Sequence, residues 1–474
     1  MTGSARGATA GSAARARARL GVSLFFFLNG FLLAGILTRL PEVKGLLGLG
    51  TVEFGFILAA IPAGSIGAAA LPAPLIRRFG AAAVASVGTM LLAGVLVLVG
   101  AVTVLGPGSP LWPGGESSGA PGGVPGWVAA VPWIAAGLIA LAGFLDAVAD
   151  AAQNVHGLAV EQERGSLIFN SLHAIWSVGS VSGGGFGLLA AALHIPLWAH
   201  LSATGALGIA AAAWAWRLSG AAGDGGAQRR IRADDPEEGA APLISDPGVT
   251  AVDDGVTSHE REGLTAAAAR DGKEQESTAG ANAVPSKWTL LAGVIALGLL
   301  GAFVEDLGMN WSSLYFSEVG GVGVELAGIA FVVALSGQLI ARFSADALTA
   351  RIGRTGVVLS GGVLVTAGML LAMAVAQPWA VGVGFFLSGF GSATFIPTAY
   401  GAAGTIPGFS HSMGITLASW ALRIAMLASS PVLGLTAGAL GLRYALVVTV
   451  VAGFGAVALA MSPVLRRSTG DGRG

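Results

Sequence analysis

Asp146 and Asp150 are the residues of this sequence best placed to do chemistry. They stand inside a long apolar run that begins near Trp127, which puts two carboxylates at membrane depth. A charged acid there costs about 2.5–3.5 kcal/mol on insertion scales, so an intramembrane acid is a functional hypothesis by default. Four residues apart, the two share one face of a helix. A charged turn follows (Glu161, Glu163, Arg164), and then a second apolar segment carrying Asn170, His173, Trp176 and Ser177. Acid, charged turn and histidine on adjoining helices form an edge at which a proton can be taken up and passed on. In the second half Glu305 and Asp306 are adjacent, hence about 100° apart on a helix, and only one of them readily faces a cavity. Glu305 is the deeper and is the expected one, with Asp306 a packing acid. The proton-coupling candidates are therefore Asp146, Glu305 and Asp150.

Arg423, in the middle of SWALRIAMLASS, lies too deep to snorkel. A guanidinium at that depth needs a carboxylate or an anionic solute, and Glu305 or Asp306 is the expected partner. Asn29, Asn170, Asn310 and His173 can hydrogen-bond a polar solute, and Trp176, Trp311 and Trp420 can stack on a sugar ring. With Arg423, all of these but Trp420 make up the substrate-binding candidates; Gln338 and Thr394 are weaker ones. Structural readings stand beside each: a packed histidine, a buried ion pair, tryptophans facing lipid.

These groups need a frame that spans a membrane. The chain is 54% hydrophobic and 11% charged, with a mean hydropathy of +0.75, which excludes an ordinary soluble domain. Its 75 glycines suit helices packed closely in lipid. With no cysteine, disulfides and thiol catalysis are excluded. A net charge of −1 leaves no nucleic-acid footprint. No Walker loop, His-Glu-x-x-His pair or glycine fingerprint between strand and helix is present. The expectation is a protein that is not an enzyme and takes no cofactor and no metal.

Twelve apolar runs predict twelve transmembrane helices, at about 20–38, 53–72, 82–105, 127–150, 168–192 and 195–216, then 288–311, 324–345, 355–376, 378–400, 412–438 and 443–465. The first run is read as a span rather than a cleaved leader, because no small-residue cleavage site follows it. With the N-terminus inside, Arg77, Arg78, Arg164, the basic residues between Arg217 and Lys287, Arg351, Arg354, Arg466 and Arg467 all fall on the cytoplasmic side. Arg39, Lys44 and Arg443 fall outside, a strong positive-inside asymmetry. Both termini are then cytoplasmic. The expected organisation is a tail at 1–19, a six-helix bundle at 20–216, a linker at 217–287, a second bundle at 288–466 and a tail at 467–474. The linker has too little to bury to offset ordering entropy and is expected to be a disordered cytoplasmic tether.

The halves echo one another. Leu75-Ile76-Arg77-Arg78-Phe79-Gly80 follows the second helix, and Asp346-Ala347-Leu348-Thr349-Ala350-Arg351-Ile352-Gly353-Arg354 follows the eighth. A basic cluster around a glycine at the same point of each half implies a duplicated unit.

On these residues the chain resembles the major facilitator superfamily, and in particular bacterial members distantly related to the fucose permease branch of sugar:proton symporters. The resemblance is carried by Phe27-Leu28-Asn29-Gly30 with Arg39-Leu40-Pro41, Asp146, Asn170-Ser171-Leu172-His173-Ala174, and Glu305 with Asn310-Trp311. It covers nearly all the hydrophobic segments. The gating-loop motif is well formed at Asp346, Arg351, Gly353 and Arg354. It is degenerate at Arg77, Arg78 and Gly80, where Arg77 occupies the usual acidic position. Asp146 matches a helix-4 acid of the fucose branch and His173 a helix-5 glutamine, whereas Leu37 stands where that branch has an aspartate. The resemblance implies an all-α membrane protein, two pseudo-symmetric six-helix bundles around a midplane cavity. It implies alternating-access transport of a small polar, sugar-like solute by proton symport in the bacterial cytoplasmic membrane, with solute, protons and the lipid bilayer as partners and the monomer as functional unit. Proton-driven efflux is the alternative, and a non-transporting sensor or scaffold a further one.

Overall fold

The computed structural model describes residues 2–111, 125–164, 168–219, 286–409 and 411–468. Most of the 217–287 linker lies outside the described residues. The first bundle comprises α1 (Thr2–Leu37), α2 (Thr51–Gly67), α3 (Ala81–Thr103), α4 (Val131–Arg164), α5 (Phe169–Ala192) and α6 (Leu197–Ser219). The second begins with α7 (Lys287–Asn310). A continuous stretch, Ile329–Val375, bends at Gly353 into α8 (329–352) and α9 (354–375). Then come α10 (Pro378–Ala403), α11 (His411–Leu440) and α12 (Leu442–Met461). Ten described stretches are long and apolar enough to cross a membrane, and the bent pair containing α2 raises this to eleven. The twelfth is α6, which His200, Thr204 and Arg217 make less apolar than the others.

Packing repeats with a shift of six helices. In the first half α1 packs on α5 and α6, and α3 on α4 and α6; in the second α7 packs on α11 and α12, and α9 on α10 and α12. The two loop glycines also match. Gly80 has φ 87°, ψ 152°, and Gly353 has φ 73°, ψ 164°, a region essentially closed to residues with a Cβ. The duplication is thus visible in backbone conformation as well as in sequence.

Three local differences from the sequence expectation have simple causes. α1 begins at Thr2 rather than near Leu20, because the Ala/Arg run from Ala13 to Arg19 favours a helix that continues into the tail. The second span breaks at Ala59, between Thr51–Leu58 and Ala60–Gly67. Pro62 lies four residues beyond Leu58 and blocks its carbonyl from the helical ladder. α10 breaks in the same way at Ala393 and Thr394, with Pro397 four residues beyond Ala393.

The bundles close on each other at the face opposite the two termini. There α2 lies on α11 so tightly that a Cβ on Gly55 would sit 2.6 Å from the Ser430 carbonyl and 3.0 Å from the Gly434 Cα. Phe54 meets Trp311 edge-on at 5.4 Å, Thr38 packs on Gly328, and Phe331 packs on Gly184. Lys44 Nζ donates to Glu318 Oε1 at 2.8 Å across the seam. On the terminal face the segment Pro72–Phe79, which carries the exposed Arg77 and Arg78, packs on α3 and α4 of its own bundle. The conformation is closed at the outer seam.

Candidate functional site

The N-terminal half of the site is a relay across three helices. Asn29, near the middle of α1, donates through Nδ2 to Asp146 Oδ1 at 2.8 Å. Trp176 of α5 donates its Nε1–H to Asn29 Oδ1 at 2.8 Å, which fixes the orientation of the amide. The approach of α1 to α5 depends on glycine: a Cβ on Gly179 or Gly183 would stand 2.1 Å from the carbonyl of Phe27 or Phe31. Asp146 and Trp176 are half-buried and Asn29 is buried. Asp150, one turn on, accepts from Gln153 Nε2 at 2.9 Å and Asn154 Nδ2 at 3.1 Å. His173 is half-buried, with its ring edge-on to Phe26 at 5.3 Å.

The C-terminal half is built differently. Asp306 accepts from Asn310 Nδ2 at 2.7 Å and from Ser430 Oγ at 2.7 Å. Trp311 Nε1 donates to the same Ser430 oxygen at 3.2 Å. Trp311 is 1% exposed, so in this conformation its ring belongs to the closed outer seam and Trp176 is the ring that remains half-open. Glu305, on the neighbouring face of α7, lines a recess with Gln338, Ser388 and Ser392.

Arg423 is not paired as expected. Glu305 Oε1 is taken by Arg342 Nη2 at 3.4 Å, and Asp306 is held by neutral groups. Arg423 lies seven residues before Ser430, about 10 Å lower along α11, too far below Asp306 to reach it. Its Nη1 instead crosses to the other bundle and donates to the Ser65 carbonyl at 3.4 Å. Ser65 Oγ in turn donates to the Gly143 carbonyl at 3.0 Å, so Arg423 leans on the α2–α4 packing beside Asp146. The side chains of Asn170 and Asp346 lie outside the described residues. Arg351 and Arg354 are exposed at the α8–α9 turn.

Arg342 is the group that sequence reasoning missed. A signal was present: it stands nine residues before Arg351, about 13 Å further up the helix, well inside the apolar run.

No family model matches the chain. An uncharacterized transporter of Sinorhizobium fredii is 24% identical over 450 residues, covering 94% of this chain and 98% of the relative. An uncharacterized MFS-type transporter of Yersinia pestis is 25% identical over 120 residues, 25% of this chain and 31% of that protein. Among solved structures, the nucleoside transporter NupG matches with a TM-score of 0.61 at 14% identity, covering 93% of this chain and 96% of its own. A D-xylose-proton symporter matches at 0.56 and 15%, covering 93% and 95%. The chain shares the fold of these transporters over nearly its whole length. These relatives and fold neighbours are transporters and not enzymes, and this chain shares with them a fold of many helices long and apolar enough to cross a membrane. Nothing in the comparisons singles out the fucose branch. The exposed large side chains fit the same placement: Trp127, Trp133 and Trp198 all lie at helix ends on the face opposite the termini, where amphipathic rings anchor a bilayer.

Proposed function

We propose that this protein moves a small polar, sugar-like solute across the bacterial cytoplasmic membrane by proton-coupled symport, as a monomer with both termini in the cytoplasm. The observation that carries the reading is Asp146. It is a half-buried acid at mid-depth in α4 whose only hydrogen-bond partner among the described residues is the amide of Asn29. A carboxyl held by a neutral donor can alternate between charged and protonated forms without stranding a buried countercharge. Trp176 and Asn29 stand beside it as ring platform and polar contact, so one site spanning three helices reads both the solute and the proton. The D-xylose-proton symporter among the fold neighbours supports the same chemistry by analogy.

The mechanism follows the two-bundle rocking of such folds. With the outer seam open, Asp146 takes a proton from outside and the neutral site admits the solute. Closing of α2 on α11 and of Lys44 on Glu318 then seals that face. The bundles part on the terminal side, and water reaching Asp146 draws off the proton as the solute leaves. Flux into proteoliposomes under an imposed inward proton gradient, across a panel of labelled sugars and polyols, tests this reading. Accumulation that collapses with a protonophore supports it. Accumulation driven instead by an outward proton gradient, with the vesicle lumen acidic, replaces it with proton-driven efflux.

A further inference from the structure

We propose that Arg342 is the anchor for a carboxylate on the transported solute, which makes the preferred cargo a hydroxylated organic monoanion rather than a neutral sugar. This rests on the transport reading above and sharpens it. Arg342 stands at mid-depth on α8, one turn toward the terminal face from Gln338, and residues four apart share a helix face. Gln338 lines the recess with Glu305, Ser388 and Ser392, and Arg342 is tied to it through its bond to Glu305. Its hydrogen bonding is incomplete. Nη2 reaches Glu305 Oε1 at the long distance of 3.4 Å, and Nε is buried with no hydrogen-bond partner among the described residues. Ion-pair bonds between guanidinium and carboxylate are normally about 2.7–2.9 Å, and a buried donor left unpaired is costly.

Nε and the loosely engaged Nη2 form the side-on edge of the guanidinium, which matches the two oxygens of a carboxylate. His173 of α5, in the other bundle, lies within electrostatic range of Arg342. The recess supplies an amide and two hydroxyls for the rest of the cargo. In this closed conformation its enclosed space is only about 20 Å³, room for about one water, so a cargo fits there only once the bundles part. Glu305 is in this arrangement a competitor: it occupies Arg342 loosely when the site is empty and yields to the solute.

The competition separates this role from a merely structural ion pair. Purified full-length protein is titrated with gluconate, glycerate and lactate and with their neutral amides, followed by thermal stabilisation, and the same compounds are tested for counterflow in proteoliposomes. At least one carboxylate is expected to bind while its amide binds about tenfold more weakly, the scale of one lost charged hydrogen-bond pair. Glu305→Gln is expected to bind the carboxylate more tightly, Arg342→Gln to lose it, and Arg342→Lys to recover it only in part. The proposal is overturned by amides binding as well as acids, by Arg342→Gln keeping the acid's affinity, by Glu305→Gln and Arg342→Gln weakening it equally, or by no acid binding at all. Saturable binding without counterflow would remove the transport reading and leave the anchor. Counterflow of neutral sugars unaffected by Arg342→Gln would do the reverse.

Discussion

In the first bundle Asp146 accepts one hydrogen bond, from an amide that Trp176 orients, while in the second Asp306 accepts two, from Asn310 and Ser430. Each acid is half-buried on a mid-depth helix and each has a tryptophan one partner away. Yet α4 carries the first and α7 the second, so the sites are not copies related by the repeat. Asp306 has both oxygens engaged at 2.7 Å and sits under the closed outer seam; any change in its protonation disturbs two donors at once. Asp146 keeps one oxygen free among the described residues. Saturation makes an acid a structural tie, and an open valence makes it a place where a proton can come and go. Among the described residues the one charged pair at this depth, Glu305 with Arg342, belongs to the second bundle, so the proposed proton site and the proposed carboxylate anchor fall on opposite bundles.

The largest expected effect tests the first half of that contrast. Asp146→Asn holds the side chain permanently uncharged and keeps an acceptor for Asn29. Gradient-driven accumulation is expected to vanish, while solute binding and counterflow stay within a few-fold of the unsubstituted protein. Accumulation that survives in a normally inserted Asp146→Asn protein would move the coupling role to Glu305 or Asp150.

Asp306→Asn is expected to do the opposite. Its new amide N–H faces either Asn310 or Ser430, both of which donate there, so one buried donor is left unpaired at a cost of about 1–3 kcal/mol. The thermal midpoint should fall, with flux per folded molecule little changed and proton coupling retained. Uncoupled but stable protein would reverse the roles assigned to the two acids. Trp311→Phe loses the Nε1 bond to Ser430, worth about 1 kcal/mol, and leaves a cavity where the fully buried indole packed against Phe54, so it too should lower the thermal midpoint while proton coupling is retained.

How far the sequence could be read follows from what each feature depends on. Apolar runs, the basic clusters and the loop glycines are local, so the helical spans and the duplication at Gly80 and Gly353 could be read directly. Asp146 stood out because a carboxylate in an apolar run is costly wherever its helix lands. The helix breaks at Ala59 and Ala393 were also legible in principle, through Pro62 and Pro397, but the hydropathy of the run masks them. Pairing was not legible. Arg423 was assigned to the acids of its own bundle, yet which face of α11 meets which helix is set by packing of glycines such as Gly55 and Gly434 over distances no local pattern encodes. Arg342 was lost for a related reason: read along the chain it merges with the basic cluster that follows, and only the depth of α8 separates it from Arg351 and Arg354.

The smallest expected effect lies at the outer seam, where Lys44 and Glu318 join the bundles. Their side chains are 16% and 39% exposed, and ion pairs so open to water are worth about 0–1 kcal/mol. The pair exists only while the outer face is closed, since its members ride on opposite bundles, and its stabilisation therefore counts wholly toward the closed state. Lys44→Glu replaces attraction by repulsion and is expected to shift the balance between the two facing states by no more than about fivefold, the factor that corresponds to 1 kcal/mol. Because the chain has no cysteine, a cysteine placed at Val52, in the closed α2–α11 seam, reports opening through its labelling rate by an impermeant maleimide. That rate should rise in Lys44→Glu and in Glu318→Lys, and return toward the starting value when the two are combined. The shift should also shrink in high salt, as screened surface charges require. If the double exchange labels as fast as either single one, charge pairing does not help to hold the seam, and apolar closure of Gly55 on Gly434 and Phe54 on Trp311 accounts for the closed state unaided.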